Sequence, residues 1–213
     1  MVLLPAESVR KGLSMNSYMK RLAYYLSGLF ILTLGISLSI KSDLGAGAWD
    51  ALNVGLSNTV GFTVGTWVIV VGIVLIVVNA ILTKSKPDFL ALITIFITGV
   101  FIDFWLLQVM DDLVGQTVLL EYVILLGGMV FMGFGISLYM QGKLAIIPID
   151  GLMMAIRNRT GLNLMVSKTI GELTALVAAL IFEGPIGIGT VLITFGIGPL
   201  VQFFYPKIER YTQ

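Results

Sequence analysis

Residues 35–61 read GISLSIKSDLGAGAWDALNVGLSNTVG, and residues 135–161 read GISLYMQGKLAIIPIDGLMMAIRNRTG. Aligned without a gap, the two stretches agree at nine of 27 positions: Gly35/Gly135, Ile36/Ile136, Ser37/Ser137, Leu38/Leu138, Leu44/Leu144, Asp50/Asp150, Leu52/Leu152, Asn58/Asn158 and Gly61/Gly161. Apolar composition alone yields some matches. Gly-Ile-Ser-Leu and Asp-x-Leu in one frame mark an internal repeat. Gly28 and Gly128 share the register, and a shift of 99 sets Gly99 on Gly198 and Asp103 on Gln202.

The surroundings of the repeat are suited to lipid. Of 213 residues, 57% are hydrophobic and 12% charged, with mean hydropathy +1.00. Soluble domains carry about a quarter charged residues, so this chain cannot build a charged shell. Stretches of about 20 apolar residues cross a bilayer, and six are present: Leu22–Ile40, Val64–Thr83, Phe89–Met110, Tyr122–Gln141, Leu164–Phe182 and Pro185–Tyr205. Two shorter stretches, near 45–60 and 145–160, suit re-entrant or interfacial helices. Histidine and cysteine are absent. That excludes disulfides, thiol nucleophiles, Cys/His metal sites, c-type haem and imidazole acid–base chemistry; no cofactor is expected. Net charge +1 gives no case for nucleic acid as partner.

Residues 1–20 read as a cytoplasmic tail, and 21–213 as one membrane domain with repeat one at 21–110 and repeat two at 121–206. With six crossings and the amino terminus inside, 12 of the 13 basic residues face inward and Lys41 alone faces outward. This is the positive-inside pattern, and it places both termini in the cytoplasm. Each repeat has three spans plus one short helix. Three is odd, so the second repeat enters the membrane upside down. The expected fold is therefore all-α: six transmembrane helices as two inverted repeats, each with a short re-entrant or interfacial helix. Transporters on this plan place their site near the midplane between the halves.

The candidate pathway residues follow. Asp50 and Asp150 fall in the first turns of the short helices. There a carboxylate accepts backbone N–H bonds and meets the positive end of the dipole. Alternatively, the two helix starts frame a polar cavity, with Trp49 as wall or interfacial anchor and Asn53 one turn on. Pro148 suits the first turn of the second short helix and Gly161 the position just past its end. Asp103 lies about seven residues from the outer end of its span, roughly 10 Å deep. Glu172 lies in the fifth span with Lys168 one turn before it, as a local ion pair or as part of a proton or cation path. Gly196, Gly198 and Pro199 lie deep in the sixth span, where Pro199 predicts a kink or hinge. Gly28/Gly35 and Gly128/Gly135 predict a close helix crossing.

Arg21-Leu22-x-x-Tyr25-x-x-Gly28, Gly35-x-x-Leu38, Leu44-Gly45 through Trp49-Asp50-x-Leu52-x-x-Gly55-Leu56, Gly61-x-Thr63-x-Gly65-Thr66-Trp67 and Ile102-Asp103 resemble the YczE/YyaS/YitT group of bacterial multi-pass membrane proteins. The likeness is dense over about 20–105. It departs at Ala48, where the group usually has proline before Trp-Asp. The resemblance implies a bacterial plasma-membrane protein of the kind often labelled a transporter, and it brings no substrate.

The expected function is a small-molecule permease acting on an unknown solute or coupling ion, its partner being the bilayer. The alternative is a non-transporting assembly or substrate-capture subunit. An enzyme is not expected: an intramembrane aspartyl protease needs a Gly-x-Gly-Asp element, and Gly45-x-Gly47 precedes Asp50 at the wrong spacing.

Overall fold

The computed structural model describes residues 15–113 and 117–212. Within them the chain forms eight α-helices and no strand: α1 Met15–Lys41, α2 Ala48–Val60, α3 Val64–Thr83, α4 Phe89–Phe104, α5 Val118–Gln141, α6 Pro148–Thr160, α7 Leu164–Ile181 and α8 Ile188–Thr212. The last turn of α4 widens into a π-helical segment, Trp105–Val109. Six helices (α1, α3, α4 with its extension, α5, α7 and α8) are long and apolar enough to cross a membrane. Their outer faces carry exposed apolar residues at helical spacing, such as Ile73, Val77 and Ile81 on α3, Val123, Leu126 and Val130 on α5, and Leu173, Val177 and Leu180 on α7. An apolar belt without a protein partner is what lipid covers.

Two boundaries differ from those expected. Residues 1–14 lie outside the described residues, but 15–20 belong to α1 rather than to a tail. Met15–Lys20 holds no glycine or proline to stop the helix. Likewise, where a break or kink was expected, α8 runs through Pro199 as one helix, without the break. The same helix also continues through Pro206, so neither the lost N–H nor the ring's conflict with the preceding turn ends it at either proline.

The glycines expected to mark a crossing mark one between α1 and α5. A Cβ on Gly28 would stand 2.2 Å from Tyr139 N, and one on Gly135 would stand 2.4 Å from Leu32 N. Further along, Gly35 lies against Gly128, where a Cβ would meet the carbonyl oxygen at 2.6 Å. Gly28 thus faces 135–139 while Gly35 faces 128–132, so the two helices run antiparallel. Small side chains let the backbones approach, and Ser37, Ser39 and Ser137 are fully buried beside the crossing.

The short helices pack across the opposite half. At the C-terminal end of α7, a Cβ on Gly184 would stand 2.2 Å from the Ala51 carbonyl of α2, and Ala46 N donates to Pro185 O at 3.0 Å. Toward the C-terminal end of α3, Asn79 Nδ2 donates to Pro148 O of α6 at 2.9 Å. Exchanging the first four helices with the last four turns one arrangement into the other. Both short helices end on a glycine at positive φ, Gly61 at 98° and Gly161 at 75°, a conformation that favours a residue without Cβ.

One pair breaks the correspondence. α3 and α4 are joined backbone to backbone: a Cβ on Gly65 would stand 2.1 Å from Gly99 O. Among the described residues, no comparable contact joins α7 and α8. The counterparts explain the difference. Gly65 corresponds to Met165, which is 79% exposed, and Gly99 to Gly198, which has open space beside it.

Candidate functional site: a cavity between the halves

A cavity of about 190 Å³ lies at the centre of the bundle, and all eight helices contribute to its wall. Ten pairs of its lining residues are 100 positions apart, among them Leu32/Met132, Ile36/Ile136, Trp49/Ile149, Asp50/Asp150, Asn53/Met153, Val68/Lys168 and Gly72/Glu172. The backbone pattern is shared, but the chemistry is not. The crossing helices α1 and α5 contribute mainly apolar residues to the wall, with Tyr139 the exception. The indole and amide come from α2, the phenol of Tyr139 from α5, and the extra charges from α7, the helix on which α2 packs.

Of the candidate residues, Trp49, Asp50, Asn53, Asp150, Lys168 and Glu172 meet in this wall. The backbone N–H capping expected of Asp50 and Asp150 is absent. The N-cap positions are Gly47 and Ile147, neither with a side-chain cap. Asp150 instead accepts a hydrogen bond from the Tyr139 hydroxyl at 3.1 Å. Among the described residues, no hydrogen bond reaches Asp50 or Glu172. No salt bridge joins Lys168 to Glu172 either, so the local ion pair is not formed. Both aspartates are half-buried rather than sealed, because their accessible surface lies on the cavity. Trp49 and Asn53 are 8% and 4% exposed, and the indole N–H of Trp49 and the amide oxygen of Asn53 have no partner among the described residues. A buried polar group left unpaired is destabilising by about 1–3 kcal/mol; these two atoms lie inside the wall, and the groups that an occupant of the cavity would meet are the half-buried Asp50 and Glu172 carboxyls.

Asp50 and Asp150 belong to the short helices, outside the six spans. Burial, reinforced by the facing Glu172 carboxylate, pushes the Asp50 carboxyl up to about 7. Burial also raises Asp150, opposed by the Tyr139 hydrogen bond and then by the Lys168 ammonium.

Asp103, expected on the pathway, does not line the cavity. It accepts from Thr63 Oγ1 at 2.6 Å and from the Gly65 backbone N–H at 2.8 Å. A carboxylate on α4 therefore satisfies the first turn of α3 and clasps the two helices together. Gly196 packs toward Met129 of α5, and Gly198 and Pro199 do not line the cavity.

Tyr139 escaped sequence reasoning. Its only signal was its place one turn after Gly135, on the face that crosses α1. Asn79 was hidden too, as a lone amide in an apolar span. In the structure it holds the start of α6.

Residues 19–206 match a family of unknown function, DUF6198. The chain is 44% identical to the uncharacterized protein YyaS of Bacillus subtilis over 88% of its length and 94% of the relative's. To the uncharacterized membrane protein YczE of the same organism it is 35% identical, covering 88% and 86% of the two chains. An uncharacterized protein of Haemophilus influenzae is 30% identical over 90% and 86%. No solved structure matches the chain.

Proposed function

We propose that this chain, which belongs to the YczE/YyaS-type membrane-protein family DUF6198, is a small-molecule permease whose site is the cavity between two inverted halves. The carrying observation is that wall: repeat-related residue pairs surround a solute-sized space onto which Asp50 and Glu172 open without a hydrogen bond from the described residues. The antiparallel crossing of α1 and α5 supports the inversion. A site on the axis between such halves is where a rocking motion exposes it to each face in turn.

The unequal packing of the halves supports alternating access. The Asp103 clasp and the Gly65/Gly99 contact shut the α3–α4 side. The α7–α8 side is splayed, and Lys168 is exposed at its mouth. With the basic residues inside, that mouth faces the cytoplasm of a bacterial cell, and both termini lie there as well. Gly196, Gly198 and Pro199 on α8 supply the give that closing this side requires. The sequence carries no nucleotide-binding motif, so the drive comes from an ion gradient, a partner or the solute's own gradient.

Proteoliposomes loaded with a bacterial metabolite extract test the reading. Mass spectrometry of the outer medium should show protein-dependent release of one compound or a related group. The double variant Asp50→Asn, Glu172→Gln should release at least tenfold less. Release equal to that of empty liposomes for every compound overturns transport, and a stable co-purifying partner would then favour the capture-subunit alternative.

A further inference from the structure

We propose that the cavity takes a small organic cation, an amine or quaternary ammonium with an apolar body, and seats its positive centre between Asp50 and Glu172. This rests on reading the cavity as the solute site. Three carboxyls and one ammonium line the wall. Two of the carboxyls, Asp50 on α2 and Glu172 on α7, receive no hydrogen bond from the described residues. The one ammonium, Lys168, stands at the exposed mouth. An unpaired carboxylate in a low-dielectric wall is costly, and two that repel each other cost more. A cation between them relieves both.

Other ligand classes fit less well. Helix N-termini attract anions, but each short helix already has its own carboxylate in the first turn. A divalent metal needs several oxygen ligands converging on one point, and no group of three acidic residues among those described does so. A bare monovalent ion would also leave most of about 190 Å³ unfilled. Most of the remaining wall is apolar, Leu32, Ile36, Met132 and Ile136 among it, which suits hydrocarbon. Trp49 beside Asp50 adds an aromatic surface of the kind that attracts ammonium groups. Two wall residues more than nine-tenths buried, Trp49 and Asn53, keep an unpaired N–H and an unpaired amide oxygen.

Titration calorimetry on the protein in nanodiscs at pH 8 tests this with four probes: phenethylammonium, tetraethylammonium, 2-phenylethanol and phenylacetate. At least one cation should bind saturably, one per chain, and at least tenfold tighter than the alcohol. Phenylacetate should not bind. Asp50→Asn and Glu172→Gln should each weaken the cation tenfold or more, while Lys168→Gln, which removes a competing charge, should tighten it several-fold. The wild-type probe series decides the class even if a carboxylate variant fails to fold. Binding of neither cation, equal binding of cation and alcohol, or tighter binding of phenylacetate overturns the proposal. Metabolite release that persists without cation binding removes the substrate class and leaves the permease standing. Cation binding without any release does the reverse.

Discussion

Gly28→Leu and Gly135→Leu should each abolish the folded protein, seen as loss of the monodisperse peak in fluorescence-detected size-exclusion chromatography of detergent extracts. At Gly28 the first added carbon would sit 2.2 Å from the Tyr139 nitrogen, and at Gly135 2.4 Å from that of Leu32. The obstacles are backbone atoms of a partner helix, so no rotamer change relieves them. Overpacking a core with movable neighbours costs about 1–3 kcal/mol, and a backbone clash at the main helix crossing exceeds that range. The same helix supplies the control. Gly127 has nothing within 4 Å of its added carbon, so Gly127→Leu should leave the peak unchanged. Equal tolerance at Gly28 and Gly127 would show that α1 and α5 do not meet as described.

The second large effect separates stability from function. Asp50→Asn should raise the melting temperature at pH 8 by several degrees, while cutting solute release at least tenfold. The Asp50 carboxyl is raised from its ordinary 3.8 to about 7, by burial first and the Glu172 carboxylate second. The folded state therefore holds this proton more tightly than the unfolded chain. Its contribution is fully present below about pH 4 and is lost as pH rises through about 7. Up to about 4 kcal/mol separates the two limits. The neutral amide escapes this loss, so the variant's gain should be largest at pH 8, smaller at pH 5, and should vanish as pH falls toward about 4. The charged groups facing Asp50 are Glu172 and Lys168 on α7 and Asp150 on α6. Glu172→Gln should accordingly reduce the pH-dependent gain. A melting temperature indifferent to pH in both proteins would mean that Asp50 is solvated.

The repeat was legible because its register is carried by small and helix-starting residues: glycines where backbones touch and Asp-x-Leu in the first turn. Spans were legible from hydropathy, and the short helices from their length. Boundaries at Met15 and across Pro199 were not, because tertiary context overrides local propensity and α8 continues through both Pro199 and Pro206. The site was half legible. Asp50, Asp150 and Glu172 stood out as charges in apolar surroundings, but so did Asp103, whose task is to clasp α3 to α4. Sequence distance from a span end gives depth and says nothing of which way the carboxylate turns. Tyr139 and Asn79 could be found only once α5 and α3 had been packed against their partners.

The account rests on the halves lying upside down relative to each other, and the chain has no cysteine, so single substitutions report cleanly. Phe62, after α2, is 77% exposed and Leu162, after α6, 38% exposed. In intact cells, Phe62→Cys should react with a membrane-impermeant maleimide, and Leu162→Cys only after the membrane is opened. Reaction of both from the same side would place the two short helices at one face and leave the central cavity without a path across the bilayer.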